Sequence, residues 1–297
     1  MTTDIATDAW GPLAEPLHGP VPEGRPPFRD NAYLVFWSDD RRVLGVAHFS
    51  TSPNAEGRRA RLSISVDGRS LEIIEGLDRW TYASKSLEFG LDGTLRVDHP
   101  QLQGTVISTP LFAPADYSVG EVIPPLVAGE PLQHHQQAAE ITGDLVLDGT
   151  ALRFTGRAMR DRTWGYREES SNLREYLAIL VVFRDHAFTL MRFTGTDGTD
   201  RTEGFVLPAG DEPVRRLTGM DITRDAAGLL HSVLVTDETG SVAEYTSVGR
   251  AGGFWVPMGW TKRGPAMSAY DEFVALRTSD GSEAFGMAEH GVVRQLY

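Results

Sequence analysis

The chain predicts an all-β protein made of two antiparallel, β-rich halves, and three observations carry that prediction. Five Asp-Gly pairs (Asp67-Gly68, Asp92-Gly93, Asp148-Gly149, Asp197-Gly198 and Asp280-Gly281) each separate two runs rich in Val, Ile, Leu, Phe and Thr, the strongest short-range hairpin signal. Within such runs apolar residues alternate: from Arg61 to Asp67, Leu62, Ile64 and Val66 share one face while Arg61, Ser63 and Ser65 share the other. Helical periodicity is weak throughout, so two barrels or sandwiches of roughly 150 residues each follow from length and strand spacing.

The elements follow in order. Residues 11–27 hold Pro12, Pro16, Pro20, Pro22, Pro26 and Pro27, a density that forbids helix or central strand and predicts an extended arm over residues 1–30, either wrapped on the domain or free. The first β domain spans 31–168. Its strands begin at Asn31 to Trp37 and Val43 to Phe49, joined through Asp39, Asp40 and Arg41, and continue at Leu87 to Leu91, Leu95 to Val97 and Gly104 to Thr109. From Pro110 to Gln133 the pattern dissolves among five prolines, which predicts a long binding loop or lid. Ala138 to Leu147 and Leu152 to Met159 flank Asp148-Gly149. The second domain, 169–297, repeats the grammar from Glu175 to Arg184 through to Ser282 to Glu289.

Composition narrows the function. At 297 residues and 41% apolar content the chain can bury a substantial core. A net charge of −13 with no basic tract repels phosphate backbones, so neither nucleic acid nor membrane insertion is expected, and an apolar small molecule is the expected partner. Oligomeric state is left open. The absence of cysteine excludes disulfides, Cys-ligated zinc, iron–sulfur clusters and a thiol nucleophile. No signal-peptide pattern occurs in Met1 to Trp10, and the longest clean apolar run, Tyr176 to Phe183, is too short to cross a bilayer, so the cytoplasm is the expected location.

The run Arg160, Asp161, Arg162, Thr163, Trp164, Gly165, Tyr166, Arg167, Glu168, Glu169 is the foremost functional candidate. It brings an acid, cations, two aromatic faces and a glycine together at the junction of the halves. Asp161 between arginines also reads as an ionised structural anion, and Trp164 as a core aromatic at a bend. Tyr166 and Arg167 suit a developing enolate or a carbonyl oxygen, as a hydroxyl donor and a fixed cation. A second cluster holds Trp255, Met258, Trp260 and Lys262, with Tyr270 nearby; it reads as a ligand wall or as an aromatic strand end packed on the core. Near the C-terminus lie Met287, Glu289 and His290. On a strand Glu289 and His290 face opposite ways, so only one of them enters a barrel, and His290 is a candidate for proton transfer.

No His-x-His or His-x-x-x-His pair, no Gly-x-Ser-x-Gly elbow and no dinucleotide loop opening a helix occurs. The expected chemistry is therefore acid–base and electrostatic, with no metal and no cofactor.

Two segments resemble a known family. Gly156 to Arg167, a strand running into Arg-Asp-Arg-Thr-Trp-Gly-Tyr-Arg, and the late Phe285-Gly286-Met287-Ala288-Glu289-His290 resemble the Asp-x-x-Trp-Gly element and the aromatic-Gly-x-x-Glu-aromatic ending of tandem-lipocalin proteins related to hydroxyneurosporene synthase and to AttH-like proteins. The resemblance extends from about Asn31 to Tyr297. It implies two lipocalin-like barrels packed together around an apolar cavity, and cofactor-free chemistry: hydration of isoprenoid double bonds, kievitone-hydratase-like reactions, or cyclisation of polyketides and polyenes, Diels–Alder reactions included. It carries roles only to Asp161, Trp164 and Gly165, and further to Arg167 and Glu289. His290 stands where the family commonly has an aromatic residue.

The leading expectation is a cofactor-independent cyclase, isomerase or lyase acting on a hydrophobic polyketide- or terpenoid-like metabolite, with Tyr166, Arg167, His290 and Asp161 as catalytic candidates. Trp164, Trp255, Trp260, Tyr270, Met287 and Glu289 are the candidates for binding substrate. A hydratase of an isoprenoid C=C bond is the enzymatic alternative, and there Glu168, Glu169 or Glu289 is the acid, because the arginines push the Asp161 pKa the wrong way. A carrier of a lipid or pigment needs no catalytic group, and a salt-bridged clasp needs no ligand.

Overall fold

The structure is a computed structural model describing residues 9–120, 122–167, 173–210, 212–257 and 264–296. The chain divides into two compact units, residues 1–118 with 129–167 and residues 119–128 with 168–297. Among the described residues no helix is long and apolar enough to cross a membrane.

The first unit is a ten-stranded antiparallel sheet formed by β1 (Phe28–Ser38), β2 (Val43–Thr51), β3 (Arg59–Val66), β4 (Arg69–Gly76), β5 (Leu87–Phe89), β6 (Thr94–His99), β7 (Leu102–Pro110), β8 (Ala115–Asp116), β9 (Gln133–Leu147) and β10 (Thr150–Tyr166). Its order is β4-β3-β2-β1-β10-β9-β7-β6-β5, with β8 added beside β9. The pairing of β1 with β10, from Phe28 opposite Tyr166 to Ser38 opposite Gly156, brings the first strand back against the last and curls the sheet. Its concave face carries the core, including Leu34, Phe36, Phe49, Leu62, Ile64, Leu95 and Ile141.

The second unit is a closed barrel of β11 (Leu173–Val182), β12 (His186–Gly195), β13 (Asp200–Pro208), β14 (Arg215–Arg224), β15 (Leu230–Asp237), β16 (Val242–Pro257), β17 (Gly264–Thr278) and β18 (Glu283–Leu296), closed by β11 on β18. Inward-facing Leu177, Ile179, Phe188, Leu190, Val274 and Leu276 fill its middle. The all-β class is observed, and the two lipocalin-like units take different forms: one is a closed barrel, the other a curled sheet open between β4 and β5.

All five Asp-Gly pairs sit in turns between consecutive strands. At Asp67-Gly68 and Asp148-Gly149 both residues have positive φ (51° and 80°, 46° and 79°), the two-residue geometry whose twist matches that of the flanking strands.

The proline-rich arm packs on its domain rather than hanging free: the short 3-10 turn Gly11–Ala14 enters the core, where Trp10 and Leu13 are fully buried. The 110–133 excursion contributes β8 and buries Phe112, Tyr117, Val122, Leu126 and Leu132. The charged run continues β10 as strand from Arg160 to Tyr166, and the division between the two units falls just after it, at residue 167.

Candidate functional site

Strand alternation sorts the charged run. In β10, Arg160, Arg162 and Trp164 share the concave face with core residue Ala158, while Asp161 and Thr163 share the opposite face. The arginines beside Asp161 therefore do not hold it. Arg162 instead reaches diagonally across the β1 ladder to Asp30, with Nε to Oδ1 at 3.0 Å and Nη2 to Oδ2 at 2.8 Å. Its other donors go to the backbone carbonyls of Glu15 and Pro16 in the N-terminal arm. Asp30 also accepts from the Tyr82 hydroxyl and lies 3.0 Å from His18 Nδ1. Burial pushes the Asp30 carboxyl up, but hydrogen bonds with His18, Arg162 and Tyr82 and the Arg162 charge outweigh it and bring the pKa down to about 2.

Arg160 closes the neighbouring part of the cup. Its guanidinium donates to the carbonyls of Leu91 (2.9 Å) and Leu13 (2.8 Å) and lies 4.5 Å from the Trp10 ring and 5.2 Å from the Phe89 ring. Burial, reinforced by the Arg162 charge, lowers its pKa to about 9. Trp10 Nε1 in turn donates to the Asp92 carbonyl at 3.0 Å. Trp164 is flanked by His18 at 5.4 Å and by His135, stacked at 5.3 Å. Gly165 has φ +143°, and a Cβ there would meet Leu132 at 2.7 Å, so only glycine fits.

On the other face of β10, Asp161 lies 3.8 Å from His134 Nε2, and His134 Nδ1 hydrogen-bonds to the Thr163 hydroxyl. Burial, with the His135 and Arg167 charges, lowers the His134 pKa to about 3, so this contact is not an ion pair at neutral pH. Tyr166 packs edge-on against Phe28 at 5.3 Å beneath the Arg25 guanidinium. The Arg167 backbone N–H bonds to the Pro27 carbonyl at 2.8 Å. Asp161, Trp164, Tyr166 and Arg167 thus belong to one unit but not to one pocket.

The second unit holds the arrangement with the most chemical capacity. His290 and Glu272 both point into the barrel, with His290 Nε2 3.0 Å from Glu272 Oε2. The second Glu272 oxygen accepts from Arg250 Nε, and Arg250 Nη2 also reaches Asp225 Oδ2 and the Leu230 carbonyl, both at 2.9 Å. Glu272 is fully buried and His290 nearly so. His290 Nδ1 is sealed from solvent and has no hydrogen-bond partner among the described residues.

The local sequence explains this placement. Register shifts in β16 at Ser247/Gly249 and Arg250/Gly252 bring Arg250 opposite inward-facing Val274. Gly252 takes φ +132° there, and a Cβ on Gly253 would meet the Tyr270 ring at 2.7 Å. Tyr270 pairs directly with His290 across the β17/β18 ladder, and Trp255, 65% exposed at the rim, lies 5.0 Å from Tyr270. Glu289 faces away from the barrel interior and accepts from the Tyr176 hydroxyl; Met287 is buried on that same outer face. Met258, Trp260, Lys262, Glu168 and Glu169 lie outside the described residues.

Sequence reasoning missed Glu272, Arg250 and Asp30. The available signal for Glu272 was a carboxylate pair, Asp271-Glu272, interrupting an apolar strand. For Arg250 and Asp30 it lay only in long-range pairing.

A family described as a domain of unknown function, DUF7064, matches residues 12–294, and the chain belongs to it. No curated protein matches by sequence. Among solved structures, CghA with Sch210972 superposes with a TM-score of 0.61 at 12% identity, covering 95% of each chain. Kievitone hydratase from Nectria haematococca gives 0.57 at 13% identity over 94% of each chain. A putative AttH from Nitrosomonas europaea gives 0.57 at 14%, covering 92% of this chain and 98% of that one. The tandem-lipocalin resemblance of the sequence is thereby shown at the level of fold.

Proposed function

We propose that this member of the DUF7064 family is a cofactor-free cyclase, isomerase or lyase acting on a hydrophobic polyketide- or terpenoid-like metabolite, with Glu272 and His290 as its acid–base pair. The observation that carries the reading is the buried imidazole with one nitrogen on a carboxylate and the other without a partner. With Nε2–H donating to Glu272, the neutral ring presents its lone pair at Nδ1. Nδ1 takes a proton from the substrate, Glu272 stabilises the imidazolium, and the same proton returns to a second substrate atom. Arg250 keeps the carboxylate oriented. No redox partner is needed, because the proton cycle closes on itself. Nδ1 is sealed from solvent, so substrate binding swings aside a side chain at this end of the barrel, and the base acts in a dry site.

The experiment is incubation of the purified protein with an apolar extract of its source cells, read by mass spectrometry against His290→Gln. Loss of one compound with gain of another of equal mass, by wild type alone, supports the cyclase or isomerase reading. A gain of one water indicates a hydratase, as the likeness to kievitone hydratase suggests. A ligand that is bound and returned unchanged indicates a carrier. Turnover that survives both His290→Gln and Glu272→Gln would overturn the assignment of the pair.

A further inference from the structure

We propose that Tyr270 is a further catalytic residue of the second barrel, donating a hydrogen bond from its hydroxyl to a ketone oxygen of the substrate, with Trp255 as the face against which a flat, conjugated carbonyl compound lies. The proposal rests on the acid–base reading of Glu272 and His290, and it narrows the substrate of that site to an enolisable, polyketide-like carbonyl compound.

Strand alternation gathers these groups at one end of the barrel. β17 and β18 pair without a register shift, so Tyr270 and Glu272 share a face with Val274 and Leu276, which belong to the barrel's core. Tyr270 stands directly opposite His290 on β18 and directly opposite Trp255 on β16, where facing Cβ atoms are about 4.5–5.5 Å apart. The glycine at 253 gives the Tyr270 ring its seat: a Cβ there would meet the ring carbon Cζ and the hydroxyl oxygen, each at 2.7 Å. Gly253 is itself the residue opposite Glu272. The hydroxyl therefore stands beside the strand position that faces the carboxylate.

A half-exposed tyrosine hydroxyl would be ordinary alone, because water satisfies it. The independent observation is on the facing strand: His290 is 8% exposed, and its Nδ1 is sealed and has no partner among the described residues. The Tyr270 hydroxyl likewise has no hydrogen-bond partner among the described residues. Burial raises its pKa, the Glu272 and Asp271 charges add to this and Arg250 opposes it, so at neutral pH the hydroxyl is a protonated donor.

A lone pair and a donor on adjacent strands match a substrate that offers an acidic C–H beside a carbonyl. Nδ1 takes the proton from the α-carbon, and the C–H electron pair moves into the C=C bond of the enolate. The charge collects on the oxygen held by Tyr270, which keeps its own proton. The imidazolium then returns the proton to a conjugated carbon, giving an isomer of equal mass. A hydrocarbon terpenoid offers neither group. Trp255, 65% exposed and 5.0 Å from the Tyr270 ring, supplies a flat apolar surface at the same mouth.

The probe is 2-tetralone, a ketone with an acidic α-carbon on an aromatic body, given to the intact protein in D₂O. Deuterium uptake is read by mass spectrometry, and the carbonyl stretch of the bound ketone by infrared difference spectroscopy. The wild type should accelerate uptake over buffer and shift the stretch to lower frequency. Tyr270→Phe, which keeps the ring, should slow uptake about 10²-fold and abolish the shift. His290→Gln should abolish uptake and keep the shift. Trp255→Ala should raise the half-saturating concentration about fivefold, with little effect on the maximal rate. Circular dichroism checks each variant. Uptake that needs His290 but is untouched by Tyr270→Phe, or an unshifted carbonyl in the wild type, would overturn the role of Tyr270 alone. No uptake above buffer in the wild type, or uptake that survives His290→Gln, would overturn the acid–base reading and this proposal with it.

Discussion

In the first unit the buried guanidiniums of Arg160 and Arg162 end on backbone carbonyls and on Asp30, whereas in the second the buried imidazole of His290 meets Glu272 through one nitrogen and leaves the other without a partner. Both units take polar groups out of water, which costs several kcal/mol per charge unless partners are supplied. In the first, the N-terminal arm supplies many of them: the carbonyls of Leu13, Glu15 and Pro16 accept from the arginines, and Trp10 lies against Arg160, whose Nε alone among the donors of the two guanidiniums has no partner among the described residues. A network of this kind ties the arm to the fold. In the second, the carboxylate is held from both sides while His290 Nδ1 has no partner among the described residues, the arrangement on which the proposed proton transfer rests. The first unit also buries imidazole nitrogens without a partner, His134 Nε2 and His135 Nδ1, but neither ring hydrogen-bonds a carboxylate held by an arginine, and on the proposed function that difference separates structural from chemical buried polarity.

The sharpest way to break that comparison is Glu272→Gln, which keeps the shape and removes the charge behind His290. Turnover should fall roughly 10²- to 10⁴-fold, measured as product formed per folded molecule. Next in size, Asp30→Ala strands Arg162 and should cost about 3–5 kcal/mol of unfolding free energy by denaturant titration, with activity per folded molecule unchanged. Trp10→Ala should cost about 3–5 kcal/mol by emptying the site beneath Arg160.

Acid should sharpen the contrast further. The Asp30 pKa is depressed from 3.8 to about 2, so its contribution, about 2 kcal/mol, is present above the unfolded value and lost as pH falls from about 4 to about 2. His134 is depressed from 6.5 to about 3 by burial and neighbouring positive charge. Its neutral form favours the fold, so stability declines as pH falls below about 6.5. Melting temperatures at pH 7 and pH 5 should differ less in His134→Gln than in the wild type. At the small end, Trp255→Ala, at a 65% exposed position, should shift stability by less than about 0.5 kcal/mol.

The local grammar was legible because hairpins are written locally. Each Asp-Gly pair marks a real turn, and the alternation of Leu62, Ile64 and Val66 against Arg61, Ser63 and Ser65 predicts the two faces of β3. What depends on distant pairing was not legible. The return of β10 onto β1 turns Asp30 into the partner of Arg162, 132 residues away. Reading Asp161 as held by its sequence neighbours failed for a simpler reason: in a strand, adjacent side chains point to opposite faces. The same alternation correctly separated Glu289 from His290, yet Glu272 went unnoticed because its partner lies on the adjacent strand. The proline-rich arm keeps to its composition in forming only one 3-10 turn before β1, but prolines carry no signal that Trp10 and Leu13 fill a core.

The most direct test measures turnover and stability together on Asp30→Asn and Glu272→Gln, assayed in the same metabolite extract. The account expects a crossing pattern. Asp30→Asn should unfold more easily and keep its activity per folded molecule, while Glu272→Gln should lose activity with a melting temperature near that of the wild type. Full turnover in Glu272→Gln, or loss of activity in folded Asp30→Asn, would contradict it and move the chemistry to the first unit.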